Sequence, residues 1–496
     1  MAAGNASTAQ PTPFKAGFAE RDITPDIGME QPGGYGKAYH RIFHDACKVR
    51  AAVFDDGKTR VALVGIDALM IRRPIVAAAR NAIHEKTGID PQAIMIGASH
   101  DHAGGPIGMV QPGEYDHAPP LLQELAYKKS SCADAGYLAK VQAAIIDAVC
   151  EADAKRVDAR CAVGSGREDS VSFNRRFHMK NGLSFTHPGQ MNPDIVEPAG
   201  PIDPAVSVIG AWDAKTKKLL GCVVNFTCHC TTGPGGISAD YVHYLEQSLR
   251  GVMGEDAIVV FLNGANGDVT QVDNQSPYAV RQSGEANSHK VGGRVGAEAA
   301  RVLLSTFDSA GSLAPLAFER RVLPINRRVP SAEHVAQAME IVTHKQPPGG
   351  AAATNWIFAK ETVLLDWKVK EEPTVPVEVQ AIQVGPAVFL SCPAEYFCQY
   401  GLDIKAASKF PFPMVVSLAN DCVGYVPTED AFGPHGGGYE TRLTSHSNLD
   451  ITAGKQMADA LISLSGQMKP GPIPQALPIK PTTQPWTYGN LPPQRD

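Results

Sequence analysis

The sequence lacks the features that mark membrane-spanning and nucleic-acid-binding proteins. Its 496 residues contain no stretch that approaches the roughly 18–20 continuous apolar residues that a membrane helix needs. No long basic run stands out, and the formal net charge is −6, which argues against a nucleic-acid partner. The first stretch, MAAGNASTAQPTPFKAGF, has neither a charged leading segment nor an apolar core, so it does not have the pattern of a signal peptide. We therefore expect a cytoplasmic protein, or an exported one if the present N-terminus results from processing.

Clustered cysteines with metal-binding spacing are also missing. The ten cysteines are scattered, and most stand in apolar strings such as GCVVNFTCHC and FLSCPAEYFC, which predicts small buried thiols. Cys228 and Cys230 flank His229, but three successive residues cannot easily wrap around one ion, so we do not expect these thiols to be ligands.

No internal repeat and no independent linker interrupts the alternation of predicted strands and helices. A turn signal, Asp-Asp-Gly-Lys at 55–58, separates two apolar runs and predicts a β-hairpin, and residues 72–88 have helical spacing that ends at a glycine. Further hairpins are predicted over 207–227 and 377–395, and the stretch 346–354 is predicted as a loop. The pattern predicts one large α/β domain over residues 14–468, with mixed β-sheets flanked by helices. The Pro-rich residues 469–496 are expected to form an extended arm on its surface.

Several predicted strands run directly into side chains that can bind a metal ion. Functional groups in open α/β sheets gather just beyond the carboxyl ends of strands, because a rigid strand fixes the loop that follows it. Two imidazoles, a carboxylate and a phenol oxygen would suit zinc, which takes N and O ligands in a near-tetrahedral shell. The residues at these strand ends are His100, His102, His229, Asp268, Thr270, Glu395 and Tyr425.

The spacing of the first two histidines carries its own prediction. In an extended segment, residues i and i+2 point the same way, so His100 and His102 would face one cleft, as one ligand and one neighbouring acid or base. Asp101 would point to the opposite side, where it would either hydrogen-bond a ligand histidine or serve as a surface or capping carboxylate.

With these residues in place, the chain resembles the neutral, non-lysosomal ceramidases, a family of zinc-dependent amide hydrolases. The resemblance extends over roughly residues 14–465 in a constant order, and IMIGASHDHAGGP is similar to the family hallmark A-T-H-T-H-S-G-P-G. The other matching segments are GFAERDITP, RVALVGIDAL, FNRR, VNFTCHCTT followed by ISADY, NGANGDVTQ, CPAEYF, and NDCVGYVPTEDAF followed by YET.

The resemblance implies a metal site, with one Zn²⁺ per chain, and it also implies a reaction. It places the zinc ligands at four positions: His100, His229, Glu395 and Tyr425. It further implies catalytic roles for His102 beside the scissile amide, Arg175 in FNRR, Thr270 in GDVTQ and Tyr439 in YET. The implied activity is attack of a metal-activated water on the amide of an N-acylated substrate, either ceramide-like or another N-acyl amine. The implied partner is thus a small-molecule or lipid-like amide.

Three departures from the family pattern bear on the substrate. Thr270 stands where the family has serine, HDHAGG replaces H-T-H-S-G, and the Pro-rich end stands where ceramidases carry a β-sandwich domain. We therefore expect a catalytic domain without that β-sandwich and a substrate that need not be ceramide. Two alternatives use the same residues: an esterase or lactonase with the same zinc site, or a non-catalytic, zinc-stabilised binding protein.

Overall fold

The computed structural model describes residues 14–279, 282–476, 478–483 and 486–496. Its longer strands and its short strand pairs follow the chain in this order: β1 (Lys15–Asp22), β2 (Lys48–Asp55), β3 (Arg60–Ile66), β4 (Ile94–Ala98), β5 (Val157–Arg167), β6 (Phe173–Asn174), β7 (Arg176–Met179), β8 (Ser184–Thr186), β9 (Ile195–Pro198), β10 (Ala205–Asp213), β11 (Leu219–Phe226), β12 (Ile258–Asn263), β13 (Val269–Thr270), β14 (Leu316–Asn326), β15 (Thr374–Val384), β16 (Ala387–Ser391), β17 (Glu395–Tyr396), β18 (Phe412–Val416) and β19 (Tyr425–Val426).

The α-helices lie between these strands or after them. They are α1 (Arg73–Thr87), α2 (Pro120–Gln123), α3 (Ala135–Ala154), α4 (Tyr241–Met253), α5 (Glu285–Thr306), α6 (Ala332–Thr343), α7 (Gly350–Glu371), α8 (Cys398–Ala407) and α9 (Ala453–Gln467). Short 3₁₀ turns cover Pro91–Ala93, Glu429–Phe432 and Tyr439–Thr441, and a π-helical turn covers Glu124–Lys128.

The largest sheet has eight strands and bends back on itself. Its order is β12-β11-β10-β5-β1-β2-β3-β4, with parallel pairs at the two ends, β11–β12 and β3–β4, and antiparallel pairs between. Gly65 on β3 allows β12 to pack against it, because a Cβ there would lie only 2.4 Å from the carbonyl oxygen of Phe261. The fold-back brings the carboxyl ends of β4 and β11 together. Asn263 joins them, since its Nδ2 donates to the carbonyl oxygens of both Ser99 and Cys228, each at 2.8 Å.

A second, four-stranded sheet with the order β14-β15-β16-β18 lies against the first. Buried asparagines join the two sheets. Asn225 Nδ2 on β11 donates to the carbonyl oxygen of Val415 on β18 at 3.0 Å. The backbone N–H of Ile96 on β4 donates to Asn420 Oδ1, also at 3.0 Å. Both amides are held by buried partners of fixed position: backbone carbonyls for Asn225, and the Ile96 N–H and the Gln380 side chain for Asn420.

The fold predicted from the sequence is confirmed: mixed sheets are flanked by helices. The helix predicted over 72–88 is α1, which begins beside Pro74 and ends at Gly88, whose φ of 74° is the left-handed conformation that glycine tolerates. The predicted hairpins are β2–β3, β10–β11 and β15–β16. The division of the chain at residue 468 stays a prediction.

One local prediction is wrong. Residues 346–354 were expected to form a loop, but α7 begins at Gly350 and includes the second half of that stretch. Tertiary packing overrides the weak local signal, because Trp356 and Ala359 of α7 pack in a buried apolar cluster with Leu122 and Leu125.

Two further properties agree with the expectations from the sequence. All ten cysteines are free thiols, and most of them are buried. In the part of the chain that the structure describes, no helix combines the length and apolar character required to cross a membrane.

Candidate active site

Two histidines reach a common point from the two ends of the folded sheet. His100 lies two residues beyond β4 and His229 three residues beyond β11. His100 Nδ1 lies 3.0 Å from the carbonyl oxygen of Leu69, and His229 Nδ1 lies 2.6 Å from that of Asn266. A carbonyl oxygen only accepts hydrogen bonds, so each neutral ring carries its proton on Nδ1 and presents a lone pair at Nε2.

The backbone at the first histidine differs from the expectation. His100 has a φ of 66°, so the segment is not extended there, and the i, i+2 argument fails in detail. The chain turns sharply instead, and Asp101 forms an isolated bridge with Cys230. The two rings still approach each other, with His102 Nε2 3.3 Å from His100 Nε2. A left-handed conformation at a residue other than glycine is sparsely populated and is found preferentially at functional sites.

A carboxylate and a phenol complete the group from the side of the second sheet. Glu395 and Tyr425 are directly paired on the short parallel strands β17 and β19. Glu395 Oε2 lies 3.1 Å from His100 Nε2 and 3.5 Å from His229 Nε2. The Tyr425 hydroxyl oxygen lies 3.5 Å from His229 Nε2. The four side chains expected from the resemblance as ligands are therefore in one place.

The residues at this point fit a divalent cation. Glu395 Oε2 is buried and has no hydrogen-bond partner among the described residues. It faces two imidazole lone pairs, so three electron-rich atoms meet with no proton to share between them. Such an arrangement is costly unless a positive charge stands among the atoms. Imidazole nitrogens with carboxylate and phenol oxygens form a donor set that suits zinc. A set of three histidines, His100, His102 and His229, also has its ligand atoms within 4.8 Å of one another.

His102 is held by the segment that precedes β2. Gln31 Nε2 donates to the His102 carbonyl oxygen at 3.1 Å. Gly33 packs flat against the ring: its φ is 103°, and a Cβ built there would lie 2.3 Å from His102 Nδ1. Only glycine fits this position, for its backbone angle and for the close approach alike.

Arg175 brings a fixed positive charge to the same point. Its Nε donates to Glu440 Oε1 at 2.7 Å, and its Nη2 donates to the Gly267 carbonyl oxygen at 2.8 Å. Its Nη1 is then directed inward and lies 3.3 Å from His229 Nε2. Burial and the nearby arginine lower the pKa of His229 to about 3, so that ring is neutral near pH 7.

Tyr439 and Thr270 take different positions relative to the cavity. A cavity of about 140 Å³ is lined by Tyr439, together with the two histidines of the HxH segment, His229, Glu395, Tyr425 and Arg175. Burial raises the pKa of Tyr439 to about 12, so its hydroxyl stays protonated. Thr270 is buried behind this lining, where its Oγ1 accepts from the backbone N–H of Val272 at 3.2 Å, and Thr231 lines the cavity instead. A catalytic role for Thr270 stays a prediction.

Two residues of the site were not found from the sequence. His446 Nε2 lies 3.2 Å from Glu395 Oε1, on the side of the carboxylate away from His100. Glu440 binds Arg175 and is fully buried. The signal for Glu440 was its place beside Tyr439 in YET, and that for His446 was a histidine in the polar string TSHSN.

The expected contact of Asp101 with a ligand histidine is not formed. Its Oδ1 accepts from the backbone N–H of Ala103 at 2.8 Å, which closes a local turn. The reason is the turn at His100, which directs the His100 Nδ1 toward a backbone carbonyl instead. Asp101 is thus a capping carboxylate, the second of the two alternatives, although it is buried rather than exposed.

The fold is that of the neutral ceramidases. Neutral ceramidase from Pseudomonas aeruginosa superposes with a TM-score of 0.67 and 19% sequence identity, covering 94% of this chain and 77% of that one. A structure described as ceramidase complexed with C2 superposes with a TM-score of 0.66 and 18% identity, covering 95% of this chain and 77% of that one. No protein-family model matches the sequence. No curated protein sequence matches it.

Proposed function

We propose that this protein is a zinc-dependent hydrolase that cleaves the amide bond of an N-acylated substrate. The observation that carries the proposal is the convergence of His100 Nε2, His229 Nε2 and Glu395 Oε2, with the Tyr425 hydroxyl oxygen beside them. The likeness of the fold to that of the neutral ceramidases supports it.

Each of the remaining side chains has a task that its position suits. A divalent cation held by the four groups supplies Lewis acidity toward a carbonyl and toward water. Arg175 places Nη1 beside His229, where it neutralises negative charge that develops on the carbonyl oxygen. The protonated hydroxyl of Tyr439 donates a hydrogen bond in the same cavity. His102 accepts a proton from the attacking water and returns it to the leaving nitrogen, a role worth about 10²–10⁴-fold in rate.

The test combines metal analysis with turnover. Purified protein is analysed for bound zinc and assayed on N-acyl amines of graded acyl length, before and after treatment with a chelator and after zinc is restored. We expect about one zinc per chain and hydrolysis that is lost and regained with the metal. Glu395→Gln and His229→Ala should lose stoichiometric zinc. His334→Ala on the exposed side of α6 is the matched control and should change nothing.

The outcomes separate the alternatives. Faster cleavage of matched esters than of amides would assign the site to an esterase or lactonase. Full zinc occupancy without turnover of either class would favour a zinc-stabilised binding protein. Full zinc occupancy in both site variants would contradict the ligand assignment.

A further inference from the structure

A line of aromatic rings leads from the candidate site to the surface. The ring of Tyr425 contacts Tyr439 with centroids 5.4 Å apart, Tyr439 contacts Tyr35 at 6.3 Å, and Tyr35 contacts Phe358 at 5.5 Å. Tyr425 is buried, the next three rings are half-buried, and the line ends at the exposed Arg442. The line therefore runs outward from the buried site: Tyr425 and Tyr439 line the cavity, and Tyr35, Phe358 and Arg442 lie beyond it toward the surface, at the mouth of the site.

The guanidinium at the end of this line is fixed in place. Arg442 Cζ lies 3.4 Å from the centroid of the Phe358 ring, stacked on its face. The hydroxyls of Tyr35 and Tyr439 are close enough to affect the Arg442 pKa, which burial lowers and these two groups raise. The guanidinium thus stands at the mouth, at the outer end of a line of rings whose inner members, Tyr425 and Tyr439, line the cavity.

Arg442 differs from the other arginines near the site in its ion pairing. Within the described ranges, no carboxylate forms an ion pair with it, whereas the other arginines near the site, Arg175 and Arg176, share Glu440. The nearest buried acid of α7, Glu361, is already paired with Lys360 and accepts a hydrogen bond from Ser445. The mouth consequently carries one positive charge that the protein itself does not neutralise.

The size of the cavity determines which part of a substrate lies near the Arg442 guanidinium. At about 140 Å³ the cavity is smaller than the roughly 300–1,000 Å³ typical of ligand pockets, so it holds the reacting amide and a few atoms beyond it. The rest of a substrate must lie along the mouth, with apolar atoms on the rings and its outer end near Arg442. A guanidinium with free, parallel N–H groups favours a carboxylate over a neutral polar group.

We propose that Arg442 selects amide substrates that carry an anionic group, such as an acyl chain linked to an amine that bears a carboxylate. This inference rests on the proposed function, since it assigns the substrate class of the same site. It makes Arg442 a specificity-determining residue, and Phe358 its positioning residue.

The test compares matched substrates that differ in one charge. N-dodecanoylglycine and its neutral glycinamide counterpart are hydrolysed by the zinc-loaded enzyme, and kcat/KM is measured for each. A third substrate, the N-butyl monoamide of dodecanedioic acid, places the carboxylate on the acyl side. We expect the wild type to prefer one of the two acids over the neutral amide by about 5- to 10-fold, the effect of one partly exposed charge pair, and to lose this preference at high salt.

Three variants identify the residue responsible. Arg442→Gln should abolish the preference while zinc content and turnover of the neutral amide stay the same, and Arg442→Lys should keep part of it. Phe358→Leu should give an intermediate ratio, because the guanidinium loses its stacking surface. Arg321→Gln is the matched control and should keep the wild-type ratio, because Arg321 is a half-buried arginine of β14 whose guanidinium donates to Ser463 Oγ at 3.4 Å.

The two proposals fail in different ways. If the neutral amide is hydrolysed but neither acid is preferred, or if Arg442→Gln keeps the preference, the inference is wrong and the proposed function stands. If no substrate is hydrolysed, the proposed function fails, and calorimetric titration of the same compounds decides the inference. Equal affinity of the acids and the neutral amide would overturn it.

Discussion

Replacing Glu440 by glutamine is expected to damage stability and activity together. Its carboxylate is fully buried and accepts three hydrogen bonds: from Arg175 Nε at 2.7 Å, Arg176 Nη1 at 2.8 Å and Thr186 Oγ1 at 2.7 Å. In Glu440→Gln the charge disappears, and the amide has only one acceptor oxygen for two guanidinium groups. Both buried arginines then lose their anionic partner, and at least one of them also loses its acceptor at position 440, while the bonds to the carbonyls of Gly267 from Arg175 and of Gly437 from Arg176 remain.

The size of the effect follows from the burial of this group. Breaking a buried ion pair by removing one partner costs about 3–5 kcal/mol, so we expect a loss of that order in the free energy of unfolding. Turnover should fall about 10²-fold, because the Glu440 bond is one of the two that direct Arg175 Nη1 at the site, the other being to the Gly267 carbonyl, and a misplacement of 1 Å has about that cost. Zinc content should be unchanged, since Glu440 is not a donor to the metal.

Denaturant-induced unfolding followed by fluorescence, zinc analysis and an amide-hydrolysis assay measure the three quantities. Glu298→Gln is the matched control: Glu298 on α5 also pairs with an arginine, but that partner, Arg301, is exposed, and a pair with an exposed partner is worth below about 1 kcal/mol. Our reasoning would be refuted if the free energy of unfolding of Glu440→Gln lay within about 1 kcal/mol of the wild-type value and the variant retained its turnover.

Two further predictions concern a glycine and a buried carboxylate. Gly33→Ala should displace the His102 ring and lower kcat by about 10-fold or more with zinc retained. Gly28→Ala is the control, because Gly28 has a similar φ of 97° but open space around it, and this substitution should lower stability alone. Equal kcat values for the two variants would exclude the clash. Burial raises the pKa of the Glu246 carboxyl, but Arg50 and neighbouring cations outweigh it and hold the pKa at about 2, below the unfolded value of about 4.3. This group therefore adds stability above about pH 5 that is lost as the pH falls toward 2. In Glu246→Gln the thermal unfolding midpoint should accordingly depend less on pH between pH 6 and pH 3 than it does in the wild type. Parallel pH profiles of the midpoint for the variant and the wild type would show that Glu246 contributes nothing.

Local sequence signals predicted the parts of the fold that depend on neighbouring residues. The Asp-Asp-Gly-Lys turn and the apolar runs beside it determine the β2–β3 hairpin, and Pro74 and Gly88 mark the ends of α1. The polar side chains that follow β4, β11 and β16 were recognisable in the sequence because each comes soon after an apolar run that predicts a buried strand. The structure brings those chosen as ligands together, while their roles stay predictions.

The parts that the sequence did not predict depend on contacts between distant segments. His446 acquires its position only because the segment around it packs against Glu395, 51 residues earlier in the chain. The left-handed turn at His100 is imposed by backbone bonds from Asp101 to Ala68 and from His102 to Cys230. The start of α7 depends on packing against the helix of residues 120–123 and its continuation. None of these contacts leaves a periodic or compositional signal in its own segment.

The origin of the four donor groups in two separate sheets has a mechanical consequence. His100 and His229 extend from the first sheet, whereas Glu395 and Tyr425 follow strands on the side of the second, and buried amides such as Asn225 and Asn420 join the layers. A metal held by all four would cross-link the layers, so its binding energy would appear as resistance to their separation. Hydrogen exchange of the strand amides at this seam would then slow when zinc binds, even where no amide touches the ion.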